Sequence, residues 1–292
     1  MRPLVSIVTP SYNQASYLEE TIRSVLGQGY EPLEYVVVDD GSTDGSAELA
    51  ERYGDRLTLI RQENSGQPAA INRGFAATSG ELMGYLNSDD TLLPGALETM
   101  VAELEREPKA LLVYGDAEYT DERSARTGRL PAREFDVARM LRACDNHVVQ
   151  PSTLWRREAW ERYGPFEEDA YYFFDFEFFL QFPPERVRRL QQPLSTYRIH
   201  AAAKSTGAQG SRLAQDHERL AEKLPTREGR SNAYLLGAEF AYEDLDLGRA
   251  RRYSLRGLCL YPAHASPRWL SLAAKSLLPA GLVRRLRARR RS

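Results

Sequence analysis

The 292-residue sequence contains few cysteines and no long hydrophobic run. Cys144 and Cys259 are its only cysteines, and their wide separation argues against disulfide-rich scaffolds and zinc ribbons. No stretch reaches the roughly 18 apolar residues that span a bilayer, and no apolar leader precedes the strand-like run 4–8. We therefore expect neither a membrane-spanning helix nor a signal peptide, and we expect a reducing, cytoplasmic environment.

Acidic residues are missing from the last part of the chain. Residues 266–292 contain Arg268, Lys275 and six arginines between Arg284 and Arg291, but no Asp or Glu. The whole chain has a formal net charge of -2, so the first 265 residues carry -10 once these eight positive charges are set apart. The sequence therefore consists of an acidic body and a basic segment.

Strand-like and helix-like segments alternate along the first 115 residues. Apolar runs suited to strands occur at 4–9, 34–39, 57–61, 81–86 and 111–114. Helical patterns lie between them, near 16–26, 44–53, 68–77 and 94–106. Because this alternation is typical of βαβ units, we predict an α/β fold with a mostly parallel sheet and helices on both faces.

The pattern loosens after residue 115. Residues 121–133 are polar and predict a surface loop. Further along, the sequence predicts helices at 157–163 and 172–182 and a strand at 194–199. From about residue 209 onward we expect only helices.

Two strand-like runs end in paired carboxylates. Asp39 and Asp40 follow one run, and Asp89 and Asp90 follow another after the short sequence Asn-Ser. Ligands of open α/β sheets bind outside the carboxyl ends of the strands, so both pairs are expected at one edge. Crowded carboxylates repel each other unless a cation or hydrogen-bond donors compensate. The pattern therefore predicts a site for a divalent metal, a polyphosphate or a nucleoside.

Tyr12 and Asp40 are candidates for nucleoside recognition. Tyr12 follows the first strand, and its ring can stack on a base. The Asp40 carboxylate can accept the imide N–H of uracil or thymine. Alternatively, residues 39–42 form only an Asx turn before the next helix, and the sequence leaves both interpretations open.

Asp89 is the candidate metal ligand, with Asp90 assisting directly or through water. Mg²⁺ and Mn²⁺ prefer oxygen ligands, commonly one or two carboxylates together with phosphates. The alternative is that these acids only begin a helix, where Asp is also favoured.

Asp175 and Glu177 lie among eight apolar or aromatic residues at 171–180. Such surroundings either raise the pKa of an acid or hold it ionised beside a cation. Either state suits a general base that takes a proton from a sugar hydroxyl. Positions i and i+2 point about 200° apart on a helix, so one acid can face solvent while the other faces a cleft. Alternatively, both acids lie on a solvated helix face.

These motifs, in this order, resemble family 2 glycosyltransferases, which have the GT-A fold. The resemblance covers about residues 3–206. It is carried by Val-Thr-Pro-Ser-Tyr-Asn at 8–13, Ser-Val-Leu-Gly-Gln at 24–28, the Asp-Asp-Gly-Ser motif within 36–44, the segment 64–74, Tyr-Leu-Asn-Ser-Asp-Asp at 85–90, Asp-Phe-Glu-Phe at 175–178 and Tyr-Arg-Ile-His at 197–200.

The resemblance implies inverting transfer from a nucleotide-activated sugar. Asp40 would hold the base, Ser88 would lie near the ribose, and Asp89 would hold Mn²⁺ or Mg²⁺. Asp175 would deprotonate the acceptor hydroxyl, with Glu177 as the less favoured alternative. His200 would lie near the metal or diphosphate, although a single histidine can equally serve packing. The other residues expected to line the donor pocket are Thr9, Pro10, Ser11, Tyr12, Gln67 and Asn72.

Two positions depart from the family pattern. Asn87 replaces the first acid of the usual DxD motif, which lowers the negative charge but keeps an oxygen and adds a donor. Asn64 stands where many relatives have Asp. Asp89 is retained, so we still expect activity.

The C-terminal third predicts a different structure. Small and aromatic residues at 233–242 and 248–253 resemble one tetratricopeptide-like helix pair, which has to bury its face against another element. Trp and Leu residues mixed with Lys and Arg at 266–292 are typical of a helix in an anionic membrane interface, broken near Pro279 and Gly281. The alternative is a solvated basic tail, disordered or RNA-binding.

We therefore expect a glycosyltransferase domain at 1–206, a helical segment at 207–265 and a basic amphipathic tail at 266–292. The expected enzyme transfers a sugar from a UDP- or dTDP-sugar to a hydroxyl of a glycan or lipid-linked acceptor, in surface polysaccharide or glycolipid synthesis. We expect it at the inner face of the plasma membrane, with no nucleic-acid partner. The alternative is a non-catalytic nucleotide-sugar-binding module. A nucleotidyltransferase has less support because its glycine-rich phosphate loop is missing.

Overall fold

A computed structural model describes residues 2–201 and 210–284. The strands in these ranges are β1 (Val5–Ser11), β2 (Leu33–Asp39), β3 (Thr58–Arg61), β4 (Leu82–Tyr85), β5 (Leu112–Thr120), β6 (Arg126–Leu130), β7 (Thr153–Arg156) and β8 (Val187–Arg198). The helices of the first 200 residues are α1 (Ala15–Leu26), α2 (Ser46–Glu51), α3 (Gln67–Ala76), α4 (Ala96–Arg106), α5 (Val137–Ala143), α6 (Arg157–Tyr163) and α7 (Phe174–Phe179). Those that follow are α8 (Gly210–Lys223), α9 (Arg227–Glu243), α10 (Leu247–Leu260) and α11 (Pro267–Lys275).

The strands form one sheet in the order β3-β2-β1-β4-β7-β5-β6, with β8 paired to β5. Strands β1 to β4 run parallel to one another, and β8 runs parallel to β5, whereas β6 and β7 pair antiparallel with their neighbours. Strands β2 and β3 follow β1 towards one edge of the sheet, whereas β4 pairs with β1 on its opposite side. This arrangement creates a topological switch point, where open α/β sheets bind ligands.

Apolar residues at helical and strand spacing explain the core around this switch point. All seven residues of β1 are buried, which is typical of a parallel strand covered on both faces. Helix α1 buries Leu18, Ile22 and Val25, and this spacing places them on one helix face. These residues belong to the same apolar cluster as Val5 and Ile7 of β1. The packing holds the carboxyl ends of β1, β2 and β4 in fixed positions.

Several predicted elements differ in the structure, including β5, which was predicted at 111–114 and extends to Thr120. Residues 121–133, predicted to be a loop, include β6, which pairs antiparallel with β5. The strand predicted at 194–199 already begins at Val187, and the helix predicted at 172–182 spans only Phe174–Phe179. Strand β6 is almost entirely exposed, so its sequence has no apolar pattern that indicates a strand. Its backbone pairing with β5 stabilises it instead.

The described residues divide into two compact units. The sheet unit comprises residues 1–136, 146–169 and 174–203. The helical unit comprises residues 137–145, 170–173 and 204–292. Residues 1, 202–209 and 285–292 lie outside the described part of the chain. The helical unit therefore includes two short segments from the middle of the chain. The candidate site residues up to Asp90, together with Asp175 and His200, all belong to the sheet unit.

Helices α9 and α10 pack antiparallel in the helical unit. Ser231 Oγ donates to the Gly257 carbonyl at 2.7 Å, and the Tyr234 and Tyr253 rings lie 5.7 Å apart further along α9. A Cβ at Gly257 would come within 2.8 Å of the Leu235 side chain, so glycine permits the close approach of the two helices. Of these residues, Tyr234 and Tyr253 lie in the segments singled out from the sequence.

Part of the predicted basic tail packs within the helical unit. Trp269 of α11 is 8% exposed, and Leu272 is also buried. Arg268 pairs with Glu239 of α9 at 2.5 Å. Helix α11 ends at Lys275, and residues 280–284 are helical again, while residues 285–292 lie outside the described part of the chain. No helix in the described residues is both long and apolar enough to cross a bilayer.

Candidate functional site

Ser11 and Asp39 are register partners at the ends of β1 and β2. Both are buried, and Asp39 Oδ2 accepts the Ser42 N–H at 3.1 Å. Within the described residues, Ser11 Oγ and Asp39 Oδ1 are buried and have no hydrogen-bond partner. A buried polar atom without a partner costs free energy, so a ligand's polar groups would be favourable at this strand end.

The Asp40 carboxylate holds the segment between β3 and α3. Its Oδ1 accepts hydrogen bonds from Gln62 Nε2 at 2.7 Å and the Ser65 N–H at 2.8 Å, and its Oδ2 accepts the Gly66 N–H at 2.9 Å. Gly66 has a φ of 94°, which favours glycine, and it directly precedes α3. Asp40 is 3% exposed, so both of its carboxylate oxygens contact protein donors inside the fold.

Asn87 connects several elements at the end of β4. Its Oδ1 accepts from Gln67 Nε2 at 2.7 Å, and its Nδ2 donates to Gln150 Oε1 at 3.2 Å and to Asp90 Oδ2 at 3.3 Å. Gln150 in turn donates to the carbonyl of Tyr85, the last residue of β4, at 2.7 Å. The departure from the DxD pattern at Asn87 thus supplies a donor and an acceptor that link α3 to the segment before β7.

Asp89 and His200 form a close pair although 111 residues separate them in sequence. His200 Nε2 lies 3.0 Å from Asp89 Oδ2, and the His200 ring centroid lies 4.9 Å from that of Tyr17. The histidine is buried, whereas the Asp89 side chain is 18% exposed. The segment after β8 and the loop after β4 therefore meet at one point.

The Asp89–His200 pair fits a divalent cation that is shared with a ligand. Asp89 offers carboxylate oxygen and His200 offers an imidazole nitrogen. Mg²⁺ and related cations are commonly held by one or two protein groups together with substrate phosphates and water. Across residues 2–201 and 210–284, no group of three or more His, Cys, Asp and Glu side chains could hold a metal. Two protein donors suit an ion whose other ligands are phosphates.

Asp90 faces the protein interior. It is 3% exposed, its Oδ1 accepts the Arg198 N–H at 2.9 Å, and its Oδ2 accepts from Asn87. Burial raises the pKa of Asp90 well above its ordinary value, and the neighbouring Asp89 carboxylate raises it further. The carboxylate that the sequence assigned to assist the metal therefore already contacts protein donors with both oxygens.

Arg198 is a buried cation that supports the Asp89 loop. Its Nε donates to the Asp89 carbonyl at 2.8 Å, its Nη1 donates to the Asp121 carbonyl at 2.9 Å, and its Nη2 pairs with Glu20 at 2.7 Å. The guanidinium also lies 4.7 Å from the Tyr17 ring centroid. The planar donor fork of arginine can satisfy all of these acceptors at once.

Sequence reasoning assigned no role to Arg198 or Gln150. Arg198 lies within the motif at 197–200, which by itself indicates no role for it. Gln150 is buried and directly follows two valines. A polar residue next to apolar residues is the sequence feature that could have indicated a buried hydrogen-bonding role for Gln150.

Asp175 lies in the first turn of α7 and is half-buried, as is Glu177. Asp175 Oδ1 accepts the Phe176 N–H at 2.7 Å. The ring of Phe174 lies 6.1 Å from that of Tyr85, which ends β4. The start of α7 therefore packs close to the strand end that leads to the Asp89 loop.

The remaining predicted donor-pocket residues differ in accessibility. Thr9 Oγ1 lies 3.1 Å from the Tyr35 hydroxyl and is buried, whereas Tyr12 is 49% exposed. Asn72 makes a reciprocal pair of 2.9 Å hydrogen bonds with the backbone of Phe166 and so fixes that segment to α3. The other two predicted residues, both buried, are Pro10 and Ser88.

Residues 6–164 match the sequence profile of the family described as Glycosyl transferase family 2. This match covers more than half of the chain. The chain belongs to glycosyl transferase family 2. The family resemblance predicted from the sequence is thereby confirmed.

An uncharacterized glycosyltransferase of Rickettsia prowazekii is 31% identical to the chain over 216 residues. The alignment covers 68% of this chain and 65% of the Rickettsia protein. The chain thus spans slightly less than two thirds of the length of that relative.

Two solved structures share the fold. Staphylococcus aureus TarS 1–349 in complex with UDP-GlcNAc has a TM-score of 0.60 at 16% identity, with 94% of this chain and 79% of that chain covered. The mannosyltransferase PcManGT of Pyrobaculum calidifontis, in complex with GDP-Man and Mn²⁺, has a TM-score of 0.54 at 21% identity, with 95% and 80% covered. The predicted α/β GT-A fold with C-terminal helices is confirmed.

Proposed function

We propose that the protein is an inverting glycosyltransferase that uses a nucleotide-diphosphate sugar. The observation that carries this proposal is the Asp89–His200 pair at 3.0 Å, beside the end of β4 and at the switch point of the sheet. Family membership supports sugar transfer as the reaction. A carboxylate with an adjacent imidazole at this position suits a divalent cation, and that cation would bind the diphosphate of such a donor.

The nucleoside end of the donor is assigned to the ends of β1 and β2. Tyr12 offers an exposed ring for stacking, and the Asp40 carboxylate is assigned to accept a base N–H. The unpartnered Ser11 Oγ and Asp39 Oδ1 lie at the same strand ends. We assign UDP or dTDP as the nucleotide because their bases present an imide N–H to a carboxylate.

Asp89 and His200 would hold Mn²⁺ or Mg²⁺, which when bound supplies positive charge against the diphosphate leaving group. Arg198 and Asp90 keep the Asp89 loop in place through their hydrogen bonds. Asn87 and Gln67 fix the adjacent end of α3. These residues orient the donor before transfer begins.

Asp175 takes the proton of the acceptor hydroxyl in this proposal. The acceptor oxygen attacks the anomeric carbon from the face opposite the leaving group, so one displacement inverts the configuration. A half-buried carboxylate at the start of α7 can accept that proton as the C–O bond forms.

Exchange of Asp175 for Asn tests the proposal. We expect Asp175→Asn to lower kcat by at least about 100-fold, since general-base catalysis contributes roughly 10²–10⁴-fold. Nucleotide affinity should stay within about two-fold, because the side chain contacts the acceptor. Transfer from a UDP- or dTDP-sugar and the nucleotide Kd would be measured on the same preparation.

Glu177→Gln is the matched control, because Glu177 lies two residues further along the same helix. It should retain most of the activity. Turnover of Asp175→Asn within a few-fold of the wild type would overturn the base assignment. Nucleotide-sugar binding without transfer or hydrolysis by the wild-type protein would instead favour a non-catalytic binding module.

The acceptor is proposed to be a glycan or lipid-linked hydroxyl in surface polysaccharide or glycolipid synthesis, at the inner face of the plasma membrane. The basic, acid-free segment 266–292 supports this, because cationic residues attract anionic lipids. Leu270, Leu277 and Leu282 are exposed on this segment, while Trp269 is buried. Any membrane contact would therefore use the leucines and arginines rather than the tryptophan.

A further inference from the structure

Glu20 of α1 provides the carboxylate that pairs with the buried guanidinium of Arg198. Arg198 Nη2 donates to Glu20 Oε2 at 2.7 Å. The Arg198 side chain is 1% exposed, whereas that of Glu20 is 47% exposed. In the described part of the chain, Glu20 is the only carboxylate within ion-pair distance of this guanidinium. A buried cation without a counter-charge is costly, so the position of Arg198 depends on Glu20.

The turn between β5 and β6 contacts both members of this ion pair. Ser124 Oγ donates to Glu20 Oε2 at 2.7 Å and accepts from Arg198 Nη1 at 3.0 Å. Arg198 Nη1 also donates to the Asp121 carbonyl at 2.9 Å. The Asp121 side chain in turn accepts two N–H groups of the same turn, which fixes its backbone. The Ser124 hydroxyl therefore bridges the two charged groups from a fixed turn.

The same guanidinium reaches the proposed cation site. Arg198 Nε donates to the Asp89 carbonyl at 2.8 Å, and His200, two residues after Arg198, lies 3.0 Å from Asp89 Oδ2 through its Nε2. One guanidinium thus connects the Glu20 carboxylate to the backbone of the candidate metal ligand. All of these residues belong to the sheet unit.

Helix α1 contacts this segment through a second side chain. The Tyr17 ring centroid lies 4.7 Å from the Arg198 guanidinium and 4.9 Å from the His200 ring centroid. Tyr17 and Glu20 are three residues apart, so they lie on one face of α1. Apolar residues of the same helix belong to the core around β1, which holds α1 in place. The helix therefore offers Glu20 from a rigid support.

We propose that Glu20 is a positioning residue for metal-assisted sugar transfer, because its carboxylate holds Arg198 where the guanidinium fixes the Asp89 loop beside His200. This inference rests on the proposed function, in which Asp89 and His200 hold the cation. It gives α1 and the turn between β5 and β6 a part in the reaction. Loss of a group that holds metal ligands in place commonly weakens metal affinity or activity about 10- to 100-fold.

Glu20→Gln tests this role in the full-length protein. The amide keeps the size of the side chain and one acceptor oxygen but removes the charge opposite Arg198. We expect the Kd for Mn²⁺, measured by electron paramagnetic resonance with UDP present, to rise about 10-fold. The UDP Kd measured in EDTA should stay unchanged, because the nucleoside is assigned to the ends of β1 and β2.

Glu19→Gln is the matched control. Glu19 is the neighbouring acid of α1, is 51% exposed, and pairs with Arg23 at 2.6 Å on the helix surface. Exposed pairs contribute little, so this variant should keep the Mn²⁺ Kd and the transfer rate of the wild type. The same rise in Mn²⁺ Kd in both variants would overturn the inference. A lower melting temperature of Glu20→Gln with an unchanged Mn²⁺ Kd would also overturn it, since the role would then be structural only.

Ser124→Ala tests the same contact from the turn and keeps the inference testable if Glu20→Gln does not fold. It removes the bridging hydroxyl without a change of charge, so the Mn²⁺ Kd should rise by a smaller factor. The double variant should bind Mn²⁺ no more weakly than Glu20→Gln, because residues of one hydrogen-bond network are not additive. Fully additive effects, or an unchanged Mn²⁺ Kd in Ser124→Ala, would contradict the shared contact.

The wild-type protein separates this inference from the proposed function. If it transfers sugar at the full rate in EDTA, or does not bind Mn²⁺ with UDP present, the cation site itself is wrong. If it binds Mn²⁺ and depends on it, while Glu20→Gln and Ser124→Ala bind Mn²⁺ equally well, only the positioning role is wrong.

Discussion

Asp89 and Asp90 are adjacent in sequence but have different surroundings. Asp90 is buried, and both of its carboxylate oxygens accept hydrogen bonds from protein groups. Asp89 is partly accessible and faces His200. One acid is thus engaged within the loop, whereas its neighbour is partly accessible and pairs with His200.

Metal dependence is predicted at this residue scale. Chelation with EDTA should abolish transfer, and added Mn²⁺ or Mg²⁺ should restore it. Asp89→Asn should lower the metal-dependent rate by about 100-fold or more, since a metal at a leaving group contributes several kcal/mol to transition-state stabilisation. Initial rates over a titration of Mn²⁺ measure both effects.

The control for the Asp89 variant is Asp55→Asn, which changes an exposed acid between α2 and β3. It should leave the rate and the Mn²⁺ dependence unchanged. Full activity of the wild-type protein in EDTA would exclude the metal from the proposed reaction.

At the scale of elements, α8 combines a buried charge with a buried neutral base. Asp216 is held by backbone N–H groups, and His217 packs between the rings of Phe173 and Phe240. Burial lowers the pKa of His217 to about 4, although its contacts with the Leu213 carbonyl and Asp216 act in the opposite direction. His217 is therefore neutral in the folded protein at neutral pH.

This lowered pKa predicts a loss of stability in acid. Below the unfolded pKa of about 6.5, the unfolded chain binds a proton at His217 that the folded chain does not bind until about pH 4. The His217 contribution is therefore complete above pH 6.5 and is lost as the pH falls towards 4. The unfolding free energy should drop by about 2 to 3 kcal/mol more in the wild type than in His217→Phe between pH 7.5 and 4.5.

Urea denaturation of both proteins at the two pH values measures this difference. Phenylalanine keeps an aromatic ring between residues 173 and 240 but cannot be protonated. The same pH dependence in the two proteins would contradict the neutral, buried state of His217.

At the scale of the whole molecule, charge is unevenly distributed. Residues 247–292 contain twelve Lys and Arg residues and no Asp or Glu. Two acids of preceding helices neutralise part of this charge, since Glu218 pairs with Arg256 at 3.5 Å and Glu239 pairs with Arg268 at 2.5 Å. Lys275 has no ion pair among the described residues. The remaining positive charge is concentrated after α11.

This asymmetry predicts binding to anionic vesicles. Each Lys or Arg near an anionic surface contributes about 1 kcal/mol, and salt weakens the attraction. The protein should cosediment with phosphatidylserine vesicles at low salt but not with neutral vesicles. Exchange of the six arginines between Arg284 and Arg291 for Gln should release it. Equal binding of this variant and the wild type, or no binding at low salt, would contradict the membrane proposal and favour a solvated tail.

Much of the fold was predictable because it depends on local patterns. The apolar runs that became β1, β2 and β4, and the amphipathic pattern of α1, each carry their own periodicity. Helix α6 spans Arg157–Tyr163, the range predicted from the sequence. Strand β6 could not be predicted in this way, because its exposed residues pair with β5 only once the sheet has formed.

The sequence by itself determined the α/β order, the family and the acids at the strand ends, because these depend on residue type and short spacing. Only the tertiary structure decided what surrounds each acid. It brought His200 to Asp89, engaged Asp40 with the loop before α3, and placed Asp216 on the residues before α7. These contacts join positions far apart in the chain, and packing rather than local pattern brings such positions together.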